Sequence, residues 1–197
     1  MPDLLAELFS SRVRAAVLSL MLPRPHLSFS LTELSRRLEL PVSSLQHECY
    51  KLARLGLLRD ERFGNTRRYQ PNPQWPLLEP LTALTVRAIP TVTALAAAVE
   101  GVAGMRACWV SGGLDDRSRP LYLVVVGELG LEEIDGLFSR ARVALAPWGM
   151  ERLELGYFRT ADWSTRIADG NAFAAQLSED TRIDVWFADG FIQHTNA

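Results

Sequence analysis

The stretch PVSSLQHECYKLARLGLLRDERFGNTRRYQPN, Pro41 to Asn72, decides how the first half of this chain folds. After Pro41, apolar Leu45, Cys49, Leu52 and Leu55 recur at helical spacing, which leaves Ser43, Ser44, Gln46, His47, Tyr50 and Lys51 off their common face. Gly56 suits the left-handed cap that ends such a helix. The remainder reads as two short strands around Gly64-Asn65, a dipeptide that tolerates the positive φ angles of a tight hairpin.

Working outward, LAELFSSRVRAAVLSLML places Leu8, Val13, Val17, Leu20 and Met21 at roughly helical spacing and predicts one amphipathic helix, stopped by Pro23 and Pro25. A second, short helix starts at Ser30 or Leu31 and carries the stripe Leu31, Leu34, Leu38. Helix, helix, short turn, helix and basic hairpin is the order of a winged helix-turn-helix. The Pro41–Asn72 phrase resembles the arsenical-repressor-like family of bacterial winged-helix regulators, in its small-polar helix start and its Leu-Gly-Leu-Leu entry into the wing. The resemblance covers roughly residues 5–75. It implies that the third helix enters the major groove of double-stranded DNA and that the wing lies along phosphates.

On that reading the DNA-facing candidates are Ser43, Ser44, Gln46, His47 and Lys51 on the helix, with Arg62, Asn65, Thr66, Arg67 and Arg68 on the hairpin. Short polar side chains at the start of a groove-bound helix can approach phosphates or base edges, and Gln46 can pair two ways with adenine. Each hairpin arginine can neutralise a phosphate and release a counterion. Arg67 and Arg68, adjacent in a strand, point to opposite faces, so one is expected at DNA and the other to pack its stem or to pair with Asp60 or Glu61. A metal site is not expected: His47 and Cys49 are two apart on a helix and cannot face one ion, and His26 and His194 are isolated.

The charge of −2 hides an asymmetry. Residues 1–88 hold 12 Lys and Arg against 8 Asp and Glu, and residues 89–197 hold 9 against 15, as a nucleic-acid module joined to a different kind of module would. A length of 197 residues allows one large domain or two small ones, and a hydrophobic fraction of 48% suffices for real cores. The apolar run Leu121–Val126 is too short to cross a bilayer, and Asp3 and Glu7 stand where a signal peptide would be basic, so a cytoplasmic protein with no membrane partner is expected. Cys49 and Cys108 offer no disulfide framework and read as small core residues.

Residues 76–90 read as a connecting helix with Leu77, Leu78, Leu81 and Leu84 on one face, a dimer candidate. Residues 91–197 read as a small α/β domain: an alanine-rich helix with Val92, Leu95, Val99 and Val102 inward, two apolar strands, an amphipathic helix, a strand with Leu153, Leu155 and Tyr157 alternating, a helix and a last strand IDVWF. The whole is thus a two-domain chain of α+β and α/β class, winged helix over 1–75 and α/β domain over 91–197. The second domain resembles the minimal nucleotidyltransferase domain often fused behind such a winged helix. That resemblance implies a Gly-Ser turn holding nucleotide phosphates and two aspartates on the next strand gripping a divalent ion. Here the turn reads Ser111-Gly112-Gly113, and the aspartate positions become Pro120 and Tyr122, neither of which binds magnesium. Asp115 and Asp116 are adjacent in the preceding loop, and Glu154 alone cannot restore the site. The expectation is therefore no catalytic residue, no cofactor and no metal, with Ser111, Arg117, Arg119 and Tyr122 as the lining of a residual ligand pocket. Trp109, Trp148, Trp163 and Trp186 read first as core.

The functional expectation is a sequence-specific transcription regulator, not an enzyme, homodimeric on a two-fold operator, whose degenerate domain serves sensing, dimerisation or protein contact. A small-molecule or protein effector would act there. The alternatives are a nucleotidyltransferase and a protein-interaction or antitoxin module.

Overall fold

A computed structural model of the chain describes residues 4–114, 118–146, 153–179 and 182–191. Asp3, Asp115, Asp116, Arg117, Trp148 and His194, named above, lie outside the described residues. The chain divides into two compact units of mixed α and β structure, Met1–Pro90 and Thr91–Ala197.

The first unit holds α1 (Leu4–Phe9), α2 (Arg12–Met21), β1 (Phe29–Ser30), α3 (Leu31–Leu38), α4 (Val42–Arg54), β2 (Leu58–Phe63), β3 (Thr66–Pro71) and α5 (Leu78–Arg87). The single first helix expected from periodicity is two. Ser10 adopts φ 51°, and the Ser11 hydroxyl accepts the Arg14 N–H to cap α2. Paired serines compete with the helix for its own backbone donors, and the break leaves Leu8 57% exposed. The start of α3 falls where the sequence put it, with Ser30 and Glu33 closing a reciprocal capping box. Residues Glu39 to Pro41 turn the chain into α4, Glu39 taking the left-handed conformation at φ 55°.

Leu45, Cys49 and Leu52 of α4 are buried as expected, but Leu55 is exposed. Its place on the buried arc is taken by Glu48, whose carboxylate accepts the Arg14 Nε–H at 2.6 Å. Gly56, φ 83°, lets the chain leave the helix for β2. Gly64, φ 60°, makes the two-residue turn of the β2–β3 hairpin, which pairs Phe63 with Thr66 and Arg62 with Arg67. The two-residue β1, too short for any periodicity to reveal, pairs with β3 and completes a sheet of order β1-β3-β2. The core gathers Leu18, Met21, Leu34, Leu45, Leu57 and Tyr69, with Leu78 and Leu81 of α5 packed against it. The four-leucine face expected of α5 is thus split, since Leu77 and Leu84 are exposed.

The second unit runs α6 (Thr91–Val99), β4 (Met105–Gly112), β5 (Leu121–Gly127), α7 (Leu131–Ala144), β6 (Leu153–Phe158), α8 (Thr160–Ala168), α9 (Ala172–Glu179) and β7 (Arg182–Phe187). Its sheet has order β6-β5-β4-β7. β4 lies antiparallel to β5 and β7, while β5 and β6 are parallel and joined through α7, as a parallel connection requires. The continuous apolar runs of β4 and β5 follow from burial on both faces. Trp109 is 2% exposed, edge-on to Trp163 at 5.2 Å and stacked on Phe187, and its Nε1–H donates to the Leu177 carbonyl at 2.9 Å. Two expectations differ in detail. Val92 is 50% exposed, while Leu95 and Val99 are buried as expected together with Ala94, Ala97 and Ala98, and two helices precede the last strand, because Gly170 breaks the run and the Asn171 side chain caps α9. Among the described residues no helix is long and apolar enough to cross a membrane.

Candidate nucleic-acid interface

In α4 the buried residues Leu45, Glu48, Cys49 and Leu52 define an inner arc. At about 100° per residue the arc opposite is centred on Ser43, His47, Tyr50 and Arg54, with Gln46 on one flank and Ser44 and Lys51 on the other. Ser43, Gln46, His47, Tyr50, Lys51 and Arg54 are exposed and Ser44 partly so. None of their side chains makes a hydrogen bond or ion pair within the described residues. The helix begins at Pro41 with no side-chain cap, so its first-turn N–H groups face outward unsatisfied beside Ser43 and Ser44. Tyr50, placed off the apolar face by the sequence but not among the DNA-facing candidates, and Arg54, not named there, complete this surface. The same helical wheel that excluded them from the core would have found them.

The hairpin has two faces. Tyr69 is buried in the core beside Leu45 and Cys49, so the face it shares with Arg67, and with their cross-strand partners Asp60 and Arg62, is the one turned toward α4. Arg67 Nε lies 2.7 Å from Asp60, whose carboxylate, with Tyr69 adding to it, raises the guanidinium pKa; half of the side chain stays exposed. Arg62, directly opposite, makes no ion pair within the described residues and is exposed. Asn65 and Thr66 are exposed at the turn.

Arg68 faces the other way. Its guanidinium donates to the Ser28 hydroxyl and carbonyl and pairs with Glu33 at 3.1 Å. The two adjacent arginines thus diverge as expected, and Arg67 takes Asp60; Arg68 reaches α3 rather than Glu61. Both thiols are buried, and burial pushes Cys49 and Cys108 up to about 12, Glu48 adding to the effect at Cys49, so both are protonated near neutral pH and poor nucleophiles. His47 points outward while Cys49 points inward. Among the described residues no three His, Cys, Asp or Glu side chains cluster as metal ligands would.

Of the residues named for a pocket in the second unit, Ser111 and Tyr122 pair at one end of its sheet and Arg119 acts electrostatically on Tyr122, while Arg117 lies outside the described residues. Register places Arg182, Ser111, Tyr122 and Glu154 side by side across β7, β4, β5 and β6. Burial raises the Tyr122 pKa, and the Glu154 carboxylate that the hydroxyl bonds raises it further; the Arg119 charge opposes. Arg182 pairs with Asp184 at 3.0 Å. Ser111 is fully buried, and its hydroxyl has no hydrogen-bond partner among the described residues. The Ser111-Gly112-Gly113 turn spends its backbone internally, Gly113 N–H on the Pro120 carbonyl and Leu114 N–H on the Gly112 carbonyl. Gly112 is required sterically: φ is 94°, and a Cβ would come within 2.6 Å of the Pro120 oxygen.

No family model matches the chain, and no curated protein matches it. A solved structure of reduced HlyU from Vibrio cholerae is similar over 42% of this chain and 82% of that one, at 26% identity and a TM-score of 0.34.

Proposed function

We propose that this chain is a sequence-specific DNA-binding transcription regulator. The single observation that carries the reading is the Arg62–Arg67 cross-strand pair at the hairpin tip, on the side turned toward a helix whose outer polar side chains have no partners among the described residues. Like charges directly opposite on a hairpin are destabilising. Asp60 offsets only one of them, which leaves a site suited to a phosphate oxygen. With the wing on a phosphate, α4 lies along the major groove with Gln46 and His47 toward base edges and Ser43, Ser44 and the free N–H groups toward the backbone. Asn65 and Thr66 add neutral donors at the tip. Two copies on half-sites roughly 34–36 Å apart would multiply specificity, so a homodimer on an inverted repeat is part of the reading.

The second unit is read as a nucleotidyltransferase-like domain without catalysis, used for sensing, dimerisation or protein contact in the cytoplasm. Supporting this, the turn that would hold phosphates has its N–H groups engaged, and Tyr122, at a position the resemblance assigns to a metal-binding carboxylate, is bonded to Glu154.

Selection of bound duplexes from a random pool, followed by salt titration on the enriched site, tests the proposal. An inverted repeat whose affinity falls steeply with salt supports it. Failure to enrich any sequence overturns it in favour of a protein-interaction module. Magnesium-dependent incorporation of labelled nucleotide would overturn the reading of the second unit.

A further inference from the structure

The first unit contains an open cavity of about 530 Å³, within the range of roughly 300–1,000 Å³ that small-molecule sites occupy. Its floor is apolar, formed by Leu18 and Leu52 with Leu57, all buried, and Trp75 supplies one wall. Its charged lining is entirely cationic, from Arg14, Lys51 and Arg54. Arg14 is committed to Glu48. Lys51 and Arg54, one helical turn apart at the C-terminal end of α4, make no ion pair or hydrogen bond within the described residues. Two cations on the edge of an apolar hollow, with no carboxylate among the lining residues, describe one kind of occupant.

We infer that this cavity binds a small amphipathic carboxylate, its apolar body on the leucine floor against Trp75 and its anionic head on Lys51 and Arg54. A second copy of the chain fits less well, since a two-fold contact through this hollow would set Lys51 and Arg54 against their own counterparts. The cavity joins α2, α4 and α5, so the ligand touches the helix that carries Gln46 and His47. The site stands on its lining alone and holds whether or not α4 reads DNA.

Titration calorimetry of the full chain with decanoate, without DNA, tests it. Saturable binding at one site per chain is expected, with decyltrimethylammonium at least about tenfold weaker because the lining repels its head. Lys51→Gln with Arg54→Gln should weaken decanoate by at least about tenfold and leave the thermal transition in place, because neither side chain holds another. Leu81→Trp, which fills the hollow and leaves both charges, should abolish binding. Equal affinity for the anion and the cation, or unchanged decanoate affinity in the charge-removed chain, overturns the inference. So does self-association that Leu81→Trp disperses while decanoate fails to bind.

Discussion

The outer surface of α4 with the hairpin tip and the sheet end of the second unit are both rich in polar side chains, yet they use them oppositely. At the first, Ser43, Gln46, His47 and Arg62 face solvent and make no side-chain bond within the described residues. At the second, Tyr122 is bonded to Glu154, Arg182 to Asp184, and the turn's amides to carbonyls. Exposed polar groups held on rigid elements and left unsatisfied are what a partner can use. Groups that satisfy one another mainly hold the sheet end together. Apart from the buried Ser111 hydroxyl, which has no partner among the described residues, the polar groups of the second region bond one another, whereas those of the first face outward.

The largest expected effect tests the second region as structure. Trp109→Ala removes a side chain that packs on Trp163 and Phe187 and bonds the Leu177 carbonyl, and should cost about 3–5 kcal/mol in denaturant unfolding. A loss below about 1 kcal/mol would mean that the tryptophan lines an open pocket and that the second unit is less closed than its contacts indicate.

Next come substitutions that probe recognition at the first region. Gln46→Ala should flatten preference at one base position by about 1–3 kcal/mol while the salt dependence stays as it was. Arg62→Ala should do the reverse, weakening all sequences alike and lowering the slope of log affinity against log salt by about 1. Identical behaviour of the two variants would merge helix and wing into one nonspecific surface. Tyr122→Phe supplies the counterpart from the second region: loss of its bond to Glu154 should cost about 1 kcal/mol in unfolding and leave DNA affinity alone. A change in affinity would break the contrast between the regions.

Much of the first region was legible in the sequence, because a helix and a hairpin write their periods locally: the buried Leu45, Cys49 and Leu52, and the Gly64-Asn65 turn, follow from neighbours within a few residues. What escaped is long-range. Glu48 is buried because Arg14, 34 residues away, meets it, and Arg68 is held by Ser28 and Glu33, 40 and 35 residues away. No spacing rule reaches so far. In the second unit the strands announced themselves as apolar runs, whereas the row Arg182–Ser111–Tyr122–Glu154 exists only through register, which a sequence does not print.

The smallest effect concerns Glu33, which joins the two themes, because it caps α3 and holds Arg68 away from the tip. The Ser30 backbone N–H, the Ser30 hydroxyl and Arg68 together hold its pKa below the ordinary carboxylate value, against a smaller opposing effect of burial. A folded pKa below the unfolded one stabilises the protein above the unfolded value, and that contribution disappears as pH falls through the lowered folded value. Stability should therefore decline below about pH 4.3 more steeply in the parent chain than in Glu33→Gln, with the difference vanishing at lower pH still. Glu33 is partly exposed, so screening keeps the difference to a few tenths of a kcal/mol, which thermal melts across the acid range can read. If Glu33→Gln also steepens the salt dependence of DNA binding, Arg68 has been released to the phosphates, and the division of labour between Arg67 and Arg68 is set by α3 rather than by the hairpin.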